Sequence, residues 1–198
     1  MNNIEKKIPT NLEAVIFDFD GVFTDNKVYL TEDGKEMICC NRSDGWGIGN
    51  LHRAKIKMVV MSSEINPVVV KRCEKLKLEC FHKLESSKYE CFKNWCNNHQ
   101  INPLNVIFIG NDENDIECLQ AAGFSVVPAD AHSSTIPYAD LILDNKGGQG
   151  AVRELSDLII KNIKKNSLIY QINNFFRHSI NITFLYCSSC ILYTIIRI

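Results

Sequence analysis

Two aspartates, Asp18 and Asp20, stand one residue apart at the end of an apolar run in AVIFDFDGVFTDN. In a strand, residues i and i+2 point to the same side, so both carboxylates stay near one point even where the chain turns. Two carboxylates that close push one pKa upward. A divalent cation removes the conflict, and such hard oxygen ligands suit Mg²⁺. The bland alternative is a pair of strand-end aspartates capping turns, and the spacing alone does not separate the two. Ser62 and Asn111 also fall where apolar strand-like runs end, in IKMVVMSS and NVIFIGND. Three segments therefore bring polar groups to a common level.

The elements that must position these groups alternate along the chain. EAVIF, IKMVVM and NVIFI read as short buried strands, with SVVPAD and DLILDN as further strand candidates. NKVYLTEDGKEMICC reads as a hairpin around the turn EDG. Helices are expected from DGWGIGNLHRAK, from NPVVVKRCEKLKL with Asn66 as N-cap and Pro67 first in the helix, and from SSKYECFKNWCNNHQI. ENDIECLQAAGF gives a short helix before Gly123, and GGQGAVRELSDLIIKNIKK an amphipathic one. Apolar strands alternating with helices predict an α/β fold, a Rossmann-like parallel sheet covered on both faces. In such sheets ligands gather at the carboxyl ends of the strands, where Asp18, Ser62 and Asn111 fall.

The 198 residues suit one domain with a sizeable core, and 45% hydrophobic content argues against disorder. With 22 basic and 23 acidic residues the net charge is −1, which lacks the basic excess of a nucleic-acid binder. The polar start MNNIEKKIPTN lacks the apolar run of a secretory signal, so the nine cysteines are expected reduced, in a cytoplasmic protein, and mostly as packing residues. Cys187 and Cys190 form the single C-x-x-C, with no second ligand pair for zinc. Residues 179–196 carry no charge; this stretch is near the minimum length for a membrane helix, but Asn181, Thr183 and Thr194 count against one, and its β-branched and aromatic residues give it strand-like character. A subunit interface or a poorly ordered tail are the other readings.

Further motifs narrow the chemistry. DFDGVFTD matches DxDGxxTD, the first motif of the haloacid dehalogenase superfamily, and the chain resembles that family over about residues 12–162. Ser62 resembles the second motif, Lys88 in ESSKYE the third, and GNDEND (110–115) the acidic fourth. GGQGAVREL resembles a C-terminal segment of the small-cap sugar-acid phosphatases. Among these the likeness is to the octulosonate phosphatases and, through SSEINPVVVKRC, to the phosphatase-like domain attached to some acylneuraminate cytidylyltransferases. Five ordered motifs are far more specific than one.

The resemblance implies a Mg²⁺-dependent phosphatase with Asp18 as nucleophile and Asp20 as general acid and base, acting on an eight- or nine-carbon 2-keto-3-deoxy sugar-acid phosphate. Ser62 and Lys88 would hold the phosphoryl group, with Ser63, Arg42, Asp44 and Gly45 as further substrate contacts. The metal would take the Asp18 side chain, the Asp20 carbonyl and Asn111, with Asp112 the alternative to Asn111. Many members carry aspartate at position 111. The octulosonate phosphatases carry VRDGYG and GGRGAVRE where this chain has RSDGWG and Gln149. These departures motivate a second hypothesis, a non-catalytic oligomerisation or regulatory module. The expected layout is a phosphatase domain at 1–165, a hairpin flap near 27–40, no large cap, and a hydrophobic tail at 166–198. The resemblance implies a homo-oligomer, a tetramer, with a membrane contact through the tail not favoured.

Overall fold

The computed structural model describes residues 8–84 and 87–186. Six parallel strands form one sheet in the order β5-β4-β1-β6-β7-β8. They are β1 (Ala14–Phe17), β4 (Lys57–Met61), β5 (Glu79–Phe81), β6 (Val106–Ile109), β7 (Phe124–Val127) and β8 (Leu141–Ile142). β1 pairs with β4 on one side and β6 on the other, so Phe17 aligns with both Val60 and Ile109. The strand that carries the two aspartates is thus central.

Period-two alternation divides the core. Val15 and Phe17 face one layer with α1 (Arg42–Arg53), α2 (Val68–Leu76) and the start of α5 (Ala151–Tyr186). Ala14 and Ile16 face the other with α3 (Lys88–His99) and α4 (Ile116–Ala121). Both faces of β1 are buried completely, which is why the run reads as continuously apolar. β5, which was not foreseen, is a three-residue edge strand with a mixed exposure pattern and so carries no apolar run. α2 starts one residue later than expected, with Pro67 at the N-cap position, and Asn66 Oδ1 accepts from Val68 N at 3.1 Å just before it.

The hairpin forms as expected, from β2 (Thr24–Leu30) and β3 (Glu36–Cys40), and makes its own two-stranded sheet. Its turn closes through Thr31 N to Lys35 O at 3.0 Å, with Gly34 at φ +78. No further domain is inserted between the motifs. Val28, Tyr29, Leu30 and Met37 on this hairpin are all more than half exposed.

The chain divides into a compact unit ending at Ile160 and a second unit from Lys161 onward. In the second, α5 continues to Tyr186. No glycine or proline interrupts residues 151–186, so helix replaces strand-like character over 179–186. No helix among the described residues is long and apolar enough to cross a membrane. Residues 187–198, including Cys187 and Cys190, lie outside the described residues.

Candidate active site

The carboxyl ends of β4, β1 and β6 meet, and each strand delivers one polar residue at or just past its end. Asp18 follows β1 directly and is held by its N–H to the Ile109 carbonyl at 2.9 Å. Ser62 follows β4, its N–H bonded to Phe81 O at 2.8 Å, and Asn111 lies two residues past β6. A cavity of about 410 Å³ opens there, lined by Asp18, Asp20, Ser62, Ser63, Asn111 and Asp112, with hairpin residues at its mouth.

Lys88 is the first residue of α3, whose N-cap Ser87 accepts from Glu90 N. Its Nζ lies 2.7 Å from Asp18 Oδ1 and 2.5 Å from Asp115 Oδ1, with only 2% of the side chain exposed. Asp115 is fully buried, and its other oxygen accepts from Asn111 N at 2.8 Å and Asp112 N at 3.2 Å. One carboxylate therefore ties the fourth-motif loop to the lysine. Sequence reading gave Asp115 only a place in the acidic fourth motif; its grip on Lys88 was missed. The spacing of four in NDEND was the available signal.

Asp20 is set by Thr24, whose Oγ1 donates to Asp20 Oδ1 at 3.2 Å and accepts from Gly21 N and Asn26 N. Gly21 has φ +74, and a Cβ there would come within 2.0 Å of the Asn111 amide. The turn can therefore pass between the two aspartates and the fourth-motif loop only as glycine.

The pKa shifts follow from this burial. Desolvation, and then the charge of Asp115, push Asp18 up to about 7 against the pull of Lys88. Burial also raises Asp20, opposed by the Thr24 hydrogen bond. For Lys88, burial disfavours the charge, but Asp18 and Asp115 outweigh it and hold the ammonium above its ordinary value. Lys88 is thus a permanent cation beside a carboxylate that titrates near neutrality.

The residues fit a hard cation. One end atom of the Asn111 amide lies 3.0 Å from Asp18 Oδ2 and 2.8 Å from the Asp20 carbonyl oxygen. With its nitrogen inward the amide donates to both; turned over, it makes three oxygens face one point. Neighbouring ligands of an octahedral Mg²⁺, each about 2.1 Å from the ion, stand about 3 Å apart. The set mixes one carboxylate, one main-chain carbonyl and one amide. Among the described residues no three His, Cys, Asp or Glu side chains are placed to hold a metal. Asp112 lines the cavity too, but its Oδ1 accepts from Glu113 N at 2.7 Å as the cap of a short turn.

Other expected contacts lie elsewhere. Arg42, Asp44 and Gly45, at the start of α1, do not line the cavity. Asp44 is fully buried; its Oδ1 accepts from Arg153 N at 3.1 Å and Oδ2 has no partner. A side chain sealed from solvent cannot contact a substrate, so its expected binding role gives way to holding the start of α5. Burial pushes its carboxyl up to about 6. Trp46, also on α1, is 62% exposed with Arg53 over its ring. The mouth instead presents Asn26, Lys27, Glu36, Glu64 and Asn66, with Asn66 Nδ2 donating to Glu36 Oε2 at 2.6 Å across it. No sequence pattern marked these residues as part of the site, because the hairpin and the loop after β4 meet only in the fold.

Residues 57–155 match the family model of the haloacid dehalogenase-like hydrolases. The 3-deoxy-D-manno-octulosonate 8-phosphate phosphatase of Salmonella typhi is 33% identical over 150 residues, 76% of this chain and 80% of that protein. The chain belongs to the haloacid dehalogenase-like hydrolases. Within that family it is similar to phosphoric monoester phosphatases. The crystal structure of the Yersinia pestis 3-deoxy-D-manno-octulosonate 8-phosphate phosphatase superposes with a TM-score of 0.75 at 31% identity, covering 80% of this chain and 85% of that one. The cobalt-bound deoxy-D-mannose-octulosonate 8-phosphate phosphatase from Haemophilus influenzae gives 0.74 at 28% identity, over 84% and 98% of the two chains. The haloacid dehalogenase-like parallel sheet expected from the sequence is the fold found.

Proposed function

We propose that this hydrolase is a Mg²⁺-dependent phosphatase that cleaves the phosphomonoester of an eight- or nine-carbon 2-keto-3-deoxy sugar acid through an aspartyl-phosphate. The observation that carries the reading is the contact of Asp18 with Lys88 through one oxygen and, through the other, with the end of the Asn111 amide that also meets the Asp20 carbonyl. One carboxylate between a buried cation and a hard-ion donor set is the arrangement a phosphoryl acceptor needs. The curated relatives that hydrolyse 3-deoxy-D-manno-octulosonate 8-phosphate support the substrate class. The cobalt-bound relative supports a divalent metal.

Asp18, Asn111 and the Asp20 carbonyl would hold Mg²⁺, which supplies positive charge that screens the meeting of a carboxylate with a phosphate dianion. Asp18 attacks phosphorus and the bond to the sugar oxygen breaks. Asp20, raised by burial toward its protonated form, gives its proton to the departing alcohol. It then takes a proton from the water that hydrolyses the aspartyl-phosphate. Lys88 places a fixed charge on the phosphoryl oxygens. Ser62 Oγ accepts from Glu64 N at 3.1 Å, which leaves its O–H to donate to the same oxygens. Ser63 lies beside it on the cavity wall.

We assign this activity to a domain at residues 1–165. A two-stranded hairpin with four exposed apolar side chains is marginal alone, and this supports a homo-oligomer built on the hairpin. The non-catalytic alternative is not favoured, since Asn111 still brings an amide to the point where the family's aspartate would stand. The test is phosphate release from 2-keto-3-deoxy sugar-acid phosphates with Mg²⁺ and with EDTA. Turnover that needs the metal is expected; a folded protein that releases phosphate from none of them refutes the reading.

A further inference from the structure

Behind the turn that carries Asp20, the loop after β7 meets the loop that leads into α5. Asp130, exposed in the first of these loops, accepts a hydrogen bond from Gly147 N through Oδ1 at 2.9 Å. Gly147 itself is buried. The second loop is tied on its other side as well. Glu154, in the first turn of α5, accepts from Asp144 N at 3.0 Å and from Asn145 N at 2.9 Å. The Asn145 carbonyl in turn accepts from Ala129 N at 3.1 Å.

From that seat the loop presses on residues 21–25. A Cβ on Gly147 would strike the carbonyl oxygens of Gly21 and Thr24, and one on Gly148 would strike the backbone of Thr24 and Asp25. Gly148 N donates to Val22 O at 3.1 Å. Two glycines thus let backbone lie directly on backbone. The turn they touch is the one that sets Asp20, because Thr24 Oγ1 donates to Asp20 Oδ1 and accepts from Gly21 N and Asn26 N. The other site residues have separate anchors. Asp18 is bonded to the Ile109 carbonyl at the end of the sheet, and the Asn111 carbonyl accepts from His132 N at 2.8 Å.

We infer that Asp130 is a positioning residue for the general acid Asp20, an inference that rests on the phosphatase reading above. Asp130 does not line the cavity. It acts through a chain of contacts: its carboxylate holds Gly147 N by a charge-assisted hydrogen bond, Gly147 and Gly148 hold the 21–25 turn, and the turn holds Thr24 against Asp20. Proton donation needs the acid within hydrogen-bond reach of the leaving oxygen, and a misplacement of about 1 Å costs about a hundredfold in rate. A sugar alkoxide is a poor leaving group and departs with the Asp20 proton. A p-nitrophenolate is a good one and departs without it. Displacing Asp20 therefore slows the first reaction and spares the second, whereas loss of the metal, of Lys88 or of the fold slows both.

The test compares kcat/KM of the full-length wild type, Asp130→Ala and Asp130→Asn at saturating Mg²⁺, on a 2-keto-3-deoxy sugar-acid phosphate and on p-nitrophenyl phosphate. This quantity covers binding and formation of the aspartyl-phosphate, so the later hydrolysis does not enter it. Asp130→Ala should fall about 10- to 100-fold on the sugar phosphate and less than about threefold on the aryl ester. Asp130→Asn keeps an oxygen at the same place and should restore most of the loss. In EDTA, hydrogen exchange followed by mass spectrometry should quicken over residues 21–26 in Asp130→Ala. Asp130→Glu, whose extra methylene carries the oxygens past Gly147 N, makes the same comparison if the alanine variant does not fold. With an active wild type, equal losses on both esters, no loss on either, an asparagine variant no better than alanine, or faster exchange at 147–148 without any at 21–26 each overturn the inference alone. A wild type that does not cleave the sugar-acid phosphate overturns the phosphatase reading and this inference with it.

Discussion

Replacing Lys88 with methionine tests the buried charge network directly. Its ammonium touches two carboxylates, Asp18 at 2.7 Å and Asp115 at 2.5 Å, with both acids and the lysine almost fully buried. Methionine keeps most of the length of the side chain but leaves two acids facing a dry, neutral neighbour. Breaking one partner of a buried ion pair costs about 3–5 kcal/mol, and that is the loss expected at pH 8 in EDTA. The sign with pH follows from Asp18. Even with Lys88 present its folded pKa is about 7, above the 3.8 it would have unfolded. An acid with a raised folded pKa binds more protons folded than unfolded, so it costs stability as pH rises from about the unfolded to the folded value. Without Lys88 that pKa rises further. The variant should therefore lose least near pH 4 and most above pH 7. Urea denaturation of both proteins by circular dichroism, at pH 5 and pH 8, measures this. A folded variant as stable as the wild type at pH 8 would show that no cation is sandwiched between those acids. Activity is a separate readout: losing a charge on the transferring phosphoryl group should lower kcat about 10²–10³-fold.

Four further outcomes are expected. Asp18→Asn should remove phosphate release, by at least about a thousandfold, while leaving the fold intact by circular dichroism; activity equal to wild type would exclude chemistry at this residue. Asn111→Asp adds a negative charge to the donor set, so half-maximal activity should need less Mg²⁺, and a titration showing the same or a higher requirement argues against Asn111 as a ligand. Asp44 carries a pKa raised to about 6 by burial, so in the wild type it costs stability progressively from about pH 4 to pH 6 and above. Asp44→Asn should gain relative to wild type by up to about 3 kcal/mol between pH 4 and pH 7, and paired melts with no pH-dependent difference contradict this. A Cβ on Gly147 would come within 1.9 Å of the Gly21 carbonyl oxygen, in the turn after Asp20; Gly147→Ala should destabilise by about 1–3 kcal/mol, and a melting temperature equal to wild type would mean the two loops are not in contact.

Much of the site was legible because each catalytic candidate sits at a boundary that the chain itself announces. Asp18, Ser62 and Asn111 end runs of apolar residues, and strand length together with burial on both faces fixes where those runs stop. Lys88 was legible through its motif; the structure adds the Ser87 cap that starts its helix. Asp44 was misjudged for an instructive reason. The resemblance offered it as a substrate contact, yet here its oxygen satisfies the N–H of Arg153, a residue 109 positions away. β5 escaped notice because an edge strand needs no continuous apolar run.

By itself the sequence determined the alternating order of strands and helices, the parallel sheet, and which residues would stand at the strand ends. These depend on hydrophobic period and on local caps, which act over a few residues. Only the tertiary structure decided which groups share one dielectric. Asp115 grips Lys88, the Asn111 amide meets the Asp20 carbonyl, and the hairpin meets the loop after β4 through Glu36 and Asn66. Burial and electrostatic partners are properties of positions in space, so pKa values and metal fit are set only when the chain has closed on itself.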